Sequence, residues 1–239
     1  MPSFDPLGSL PRLSAAMRTS LLVTVLGVGC GHDDHTTAGM VASALAAPAP
    51  RGAHRVLDSS SARFDRSRIM GDSTARVWLV MVSDFQCPYC KQWHDASFAA
   101  LEHEYVQTGK VRMAFINFPL VAHPNAMPAA VVAMCAGAQG KFWVMHDVLF
   151  NTQERWAARY PVMPVLDSLA GANGVDVHAL DACVSSHAPD ALIQADLDRA
   201  ARAGVASTPS IIIGKELLAG VRPTDTYRHA LDSALAAAK

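Results

Sequence analysis

The sequence predicts an α/β fold built around a parallel strand–helix–strand unit, and three observations carry that expectation. Val77–Val82 (VWLVMV) is a short, unbroken apolar run bounded by polar residues, the pattern of a strand buried on both faces. From Pro88 onward the apolar spacing turns helical, so that Trp93, Ser97, Ala100, Leu101 and Tyr105 can share one face, and Gly109 offers a C-cap. Val111–Phe118 (VRMAFINF) then alternates as a second strand. A crossover of that length favours a parallel pair.

The chain has 239 residues, 51% of them hydrophobic and 17% charged, enough to bury a core in one or two domains. Its net charge is −1, with acidic and basic residues interleaved. No basic face or tail appears, which argues against nucleic acid as a partner.

The N-terminus reads as an export segment, residues 1–30. Arg18 precedes a nine-residue apolar run, Leu21–Gly29, too short to span a bilayer. Cys30 follows small residues directly and precedes polar GHDDHTT, an arrangement that resembles a lipoprotein signal with Cys30 as the lipidated residue. Gly27 departs from that signal, which usually has Leu there. Cleavage near Ala44–Pro50, discarding Cys30, is the alternative. Met17 would be a conventional start for so short a signal, so residues 1–16 need not belong to the natural protein. Residues 31–61 are rich in Ala, Ser, Thr, Pro and Gly without sustained apolar period, the composition of a flexible linker. His32 and His35, flanking Asp33 and Asp34, read as part of that solvated linker.

After the second strand the texture is helical. AMPAAVVAMCAGAQG, KFWVMHDVLFN and PVMPVLDSLAGANG are punctuated by Gly and Pro, and VHALDACVSSH and APDALIQADLDRAARAG add two more helices. STPSIIIGKELLAG supplies two short strands turning at Gly214 and Lys215. TDTYRHALDSALAAA closes the chain as an amphipathic helix, with Thr224 or Asp225 as the candidate N-cap.

Chemistry concentrates at Cys87-Pro88-Tyr89-Cys90. Two residues between cysteines at a helix start can bring the sulfurs within disulfide reach. The first cysteine then sits among unpaired backbone N–H groups and the positive helix end, which favour its thiolate. A lowered pKa makes Cys87 a nucleophile and a good leaving group. Pro88 fits at the first helical position, where its missing N–H has no partner to lose. A structural zinc would usually need four ligands, and no second CxxC or CxxH pair occurs. Thr208-Pro209, just before the run Ser210–Ile213, is by itself only a strand start, since about 5% of X–Pro bonds are cis.

Taken in order, SDFQCPYCKQWH, a strand ending NFPL, HPNA, GKFWVMHDVLF and GVASTPSIIIG resemble the DsbA-like branch of thioredoxin-fold oxidoreductases, over residues 66–238. The resemblance implies a thioredoxin fold with a helical insertion subdomain. It places the first half of the core at 62–120, the insertion at 121–188 and the second half at 189–239. It implies Cys87 as attacking thiol, Cys90 as resolving thiol and Pro209 as a cis-proline facing them. Pro88, Tyr89, Thr208 and Pro209 would contact substrate, with the Thr208 backbone pairing like an added strand. Relatives commonly carry a buried acid six residues before the first cysteine. Here that residue is Met81, and Asp84, three residues later, or water would have to accept the proton of Cys90. Cys135 and Cys183 are either two buried free thiols or a structural disulfide, which the resemblance and an oxidising compartment favour. His94 shares a helical face with Cys90 and reads as packing at the helix edge. His123 and His146 carry no chemical motif.

The function so implied is disulfide exchange with exported proteins, leaning to oxidation, without a metal or cofactor beyond the Cys87–Cys90 disulfide. The partners would be exported cysteine-containing proteins and a membrane redox protein that recycles the site, at the periplasmic or outer face of the envelope. Isomerases of this kind are usually dimers with a separate N-terminal domain, which the linker cannot build, so isomerisation is disfavoured; a monomer is expected. A periplasmic reductase or isomerase, or a Cu(I)-binding chaperone using the CxxC thiolates, are the alternatives.

Overall fold

A computed structural model describes residues 59–238. The export segment, Cys30 and nearly all of the expected linker therefore lie outside the described residues. The linker expectation overran at its end, because helix α1 (Ser59–Ser67) begins inside it. Phe64 anchors that helix by burial in the core, a single apolar contact too sparse to register as a period.

The centre of the fold is a five-stranded mixed sheet in the order β1-β3-β2-β4-β5. β2 (Val77–Ser83) and β3 (Val111–Asn117) run parallel, with Val77 opposite Val111 and Ser83 opposite Asn117. β4 (Ser210–Ile213) lies antiparallel on the other side of β2, and β5 (Glu216–Ala219) returns from it as a hairpin. β1 (Ile69–Met70), too short to be read from sequence, pairs antiparallel with β3. Gly71 then turns the chain at φ +99°, where a Cβ would meet the Val111 carbonyl oxygen at 2.6 Å.

Period-2 alternation divides the sheet residues between two cores. Leu79, Met81, Met113, Phe115, Ile211 and Ile213 belong to the large core, together with residues of the active-site helix, the central helices and the C-terminal helix. Val82, Ile116 and Ile212 pack on the other side with Ala200 and Val205. β2 is not buried on both faces throughout: Trp78 and Val80 are only half-buried, and the Arg112 guanidinium stacks over the Trp78 ring at 4.2 Å.

The crossover from β2 to β3 is helical but irregular. α2 (Pro88–Trp93) passes through a π-helical turn (His94–Phe98), one α-turn, α3 (Ala99–Leu101), and a second π-helical turn (Glu102–Val106). Between β3 and β4 lie α4 (Ala126–Gly137), α5 (Phe142–Asn151), α6 (Gln153–Trp156), α7 (Met163–Ala172), α8 (Val177–Ser185) and α9 (Asp190–Arg202). α4 is buried nearly all round and packs against α1, α5, α7, α8 and α9, whereas α9 lies on β3. α10 (Thr224–Ala237) packs on β2 and β4. Its expected cap is corrected: Thr224 is the first helical residue, and its hydroxyl bonds Ser97 Oγ at 2.9 Å and the Ala96 carbonyl at 3.1 Å. Asp225 pairs with Arg228. The Thr224 contacts fasten α10 to the helical crossover after Cys90 instead of closing its own end. Among the described residues, no helix is long and apolar enough to cross a membrane.

Candidate active site

β2 ends at Ser83, and the next four residues deliver Cys87 to the start of α2. Asp84 shapes that delivery. Its Oδ1 accepts from the Gln86 amide at 2.7 Å, and its carbonyl accepts from the Cys87 amide at 3.1 Å. Cys87 occupies the N-cap position with extended backbone (φ −69°, ψ 123°), and Pro88 follows as the first helical residue. The Cys87 carbonyl accepts from the amides of Cys90 and Lys91, both at 3.1 Å. Cys87 is 3% exposed and Cys90 1%, whereas Tyr89 between them is 63% exposed.

Thr208 and Pro209 come to the same place from the other half of the chain. The peptide between them is cis, and the Cys87 thiol donates to the Thr208 carbonyl at 3.7 Å. The Gly220 amide donates to the Pro209 carbonyl at 2.8 Å and ties this loop to the end of β5. Cys87, Cys90, Thr208 and Pro209 are thus gathered into one site, with Pro88 and Tyr89 on its rim.

The two thiols differ in proton affinity. A hydrogen bond from the Cys90 thiol, resisted by burial and helped by the Thr208 side chain and the amides of Cys90 and Tyr89, brings Cys87 down to about 6. Burial pushes Cys90 well above its ordinary value, and the bond it shares with Cys87 works in the same direction. One sulfur is poised as a thiolate while the other keeps its proton.

Met81 is buried and paired with Ile211, so the family's usual acid position is apolar. Asp84 is itself buried just past the strand. Its amide donates to Cys90 Sγ at 3.5 Å, while its Oδ2 accepts from the Leu120 amide at 3.0 Å and meets His123 Nδ1 at 2.6 Å. His123, which carries no chemical motif in the sequence, is therefore wired to the site.

Three amides missed at the sequence level hold the flanks of Cys87. Gln86 donates to the Ala157 carbonyl at 2.8 Å and accepts from the Asn125 amide at 2.6 Å. The Asn125 side chain in turn donates to the carbonyls of Ala157 and Arg159 at 3.0 and 2.9 Å. Gln153 donates to the carbonyls of Phe85 and Cys87 at 2.7 and 3.1 Å. Gln86 and Asn125 stand inside the motifs SDFQCPYC and HPNA, so a signal existed. Their partners are main-chain groups, which no residue type announces.

Cys135 on α4 and Cys183 on α8 are joined as a disulfide, with Cα atoms 5.8 Å apart. It staples two helices of the central region. His94 does not sit at a helix edge as expected but is buried against Phe98 and Phe150.

Residues 64–233 match the model of a family described as Thioredoxin. The chain is 26% identical over 178 residues to the "Probable disulfide bond formation protein D" of Bacillus anthracis, covering 72% of this chain and 80% of that one. Its fold is similar to that of BdbD from Bacillus subtilis, with TM-score 0.64 and 19% identity over 71% of this chain and 92% of that one. Wolbachia pipientis alpha-DsbA1 is equally similar, at TM-score 0.64 and 20% identity over 72% and 92% of the two chains.

Proposed function

The chain belongs to the thioredoxin family, and we propose that within it the protein is a DsbA-like thiol–disulfide oxidoreductase that forms disulfides in exported proteins. The observation that carries the reading is the inequality of the two thiols: Cys87, at the N-terminus of α2, is lowered to about 6, while Cys90 is held protonated. Similarity to a disulfide bond formation protein supports the same class.

In the oxidised enzyme a client thiolate attacks Cys87 Sγ, forming a mixed disulfide and releasing Cys90, which takes up a proton. A second client thiolate then attacks the client sulfur of the mixed disulfide, and Cys87 departs as a thiolate. Two electrons pass from the client to the Cys87–Cys90 pair, and the client gains its disulfide. The cysteines carry the redox equivalents themselves. The low proton affinity of Cys87 makes it a good leaving group and stabilises the reduced enzyme, which drives electrons in this direction. Thr208, through its backbone, is the group against which an extended client segment would pair. Restoring the disulfide requires a membrane redox partner.

Export rests on the apolar run before Cys30, and a lipid at Cys30 would hold the catalytic unit at the envelope surface through the linker. The deciding experiment is the reduction potential of Cys87–Cys90 in glutathione buffers. A value well above about −270 mV, toward −120 mV, is expected for a disulfide donor, and a value at or below about −270 mV would make the protein a reductant.

A further inference from the structure

A second cluster of chemically capable side chains lies one helical turn beyond Cys90. His94 Nε2 is 3.2 Å from Asp147 Oδ1, and His146 Nδ1 is 2.8 Å from the same oxygen. Each of the three residues places one possible ligand atom within 4.8 Å of the others. The two histidines are buried and Asp147 is half-exposed.

Hydrogen bonding alone accounts poorly for the arrangement. His94 Nδ1 also faces a carboxylate, Asp95 Oδ1 at 3.2 Å. A neutral imidazole carries a single N–H, so one of its nitrogens would confront a carboxylate oxygen lone pair to lone pair. The conflict disappears if the ring is protonated or if a cation lies between His94 and Asp147.

The surroundings favour the cation. With its proton on Nδ1, directed to Asp95, His94 presents a free Nε2 lone pair toward Asp147. That is the carboxylate–histidine pairing that orients a metal-bound ring. The His146 ring lies among Phe98, Trp143 and Phe150, with centroids 4.7, 5.1 and 5.1 Å away, so an apolar shell walls the site. Zinc ligands about 2.1 Å from the ion stand roughly 3.4 Å from one another, close to the separations found around Asp147 Oδ1.

We propose that His94, His146 and Asp147 form a site for a zinc-class divalent cation, with water in the fourth position on the exposed side of Asp147. The ion would join the active-site helix to α5 and clamp them, since binding to the folded state alone raises stability. The site is separate from the thiols, and disulfide exchange at Cys87 would survive chelation.

The test uses the full chain in its oxidised state, so that Cys87 and Cys90 cannot bind metal, in a His32→Ala/His35→Ala background that removes the N-terminal histidines. Cobalt(II) spectra and zinc competition are measured together with thermal melting. About one zinc per chain, tetrahedral cobalt bands and a zinc-dependent rise in Tm are expected. Asp147→Asn, at a half-exposed position that disturbs packing little, should weaken binding at least ~100-fold, and Asp95→Asn about 10-fold. His178→Ala, on the surface of α8, should change nothing. Absence of zinc binding by the parent protein, or undiminished binding by folded Asp147→Asn, would overturn the proposal and leave the three side chains as a hydrogen-bonded cluster.

Discussion

Asp84 and His123 form a pair in which a fully buried carboxylate meets the Nδ1 of a partly exposed ring at 2.6 Å. The same carboxylate accepts the amides of Gln86 and Leu120. The two partners are therefore unequal. Asp84→Ala strands two amides and an imidazole, and should cost about 2–4 kcal/mol in chemical denaturation. His123→Ala leaves both amide bonds in place and should cost about 1 kcal/mol. Equal losses would show that the ring, and not the turn, is what Asp84 supports.

Alkylation of the reduced protein should separate the thiols. Cys87 is expected to react with iodoacetamide with a midpoint near pH 6, while Cys90 stays unmodified in the native state. The lowered Cys87 value also sets a sign for stability. Between about pH 6 and the ordinary thiol value near 8.5, the unfolded chain holds a proton that the native state has lost. The contribution of Cys87 is fully present above that range and disappears as pH falls through about 6. Reduced wild type compared with Cys87→Ser should gain stability as pH rises across this window, and a flat difference would contradict the thiolate assignment.

The Cys135–Cys183 link closes a segment with a sequence separation of 48 residues. Chain-entropy reasoning gives about 4 kcal/mol for a loop of that length. Cys135→Ala/Cys183→Ala should lower the denaturation midpoint correspondingly and leave the Cys87–Cys90 reduction potential within experimental error. A large shift in potential would mean that the staple communicates with the site.

Arg68 and Asp196 are both buried and directly paired, and Asp196 also accepts from the Asn117 backbone and side chain at 3.1 and 3.0 Å. Removing Asp196 leaves the buried Arg68 guanidinium with Asp65 as its one remaining carboxylate and strands the Asn117 donors. Asp196→Ala is expected to cost about 3–5 kcal/mol, whereas a double replacement by apolar residues of similar volume should recover most of that loss.

Much of this architecture was legible because it is written in periodicity and in local spacing. The β2–α2–β3 unit follows from an apolar run, a helical period and an alternating run, and CPYC at the helix start follows from spacing alone. Thr208-Pro209 became legible only through family resemblance, since nothing in its own neighbourhood requires proximity to Cys87. β1 was invisible because two residues cannot display a period. The π-helical turns were invisible because an extra residue per turn leaves no compositional mark, yet they explain why Phe98 and Val106 join Trp93, Ser97, Leu101 and Tyr105 on the buried side while Ala100 remains half-exposed. The network of Gln86, Asn125 and Gln153 was illegible for a different reason. Long-range bonds to main-chain carbonyls depend on topology, and a polar side chain gives the same sequence signal whether it meets water or a distant backbone.

The near-complete burial of Cys87, beside an exposed Tyr89 and the Thr208 carbonyl, has a consequence for the choice of client. A sulfur so recessed cannot be approached by a thiol fixed on a rigid convex surface. It could be reached by a chain thin and pliable enough to lie along the Thr208-Pro209 loop. Selection then operates on conformation before it operates on sequence. Under the proposed function, unfolded exported polypeptides would qualify and the same polypeptides would cease to qualify once folded, so turnover would end at the native state without any separate signal to stop.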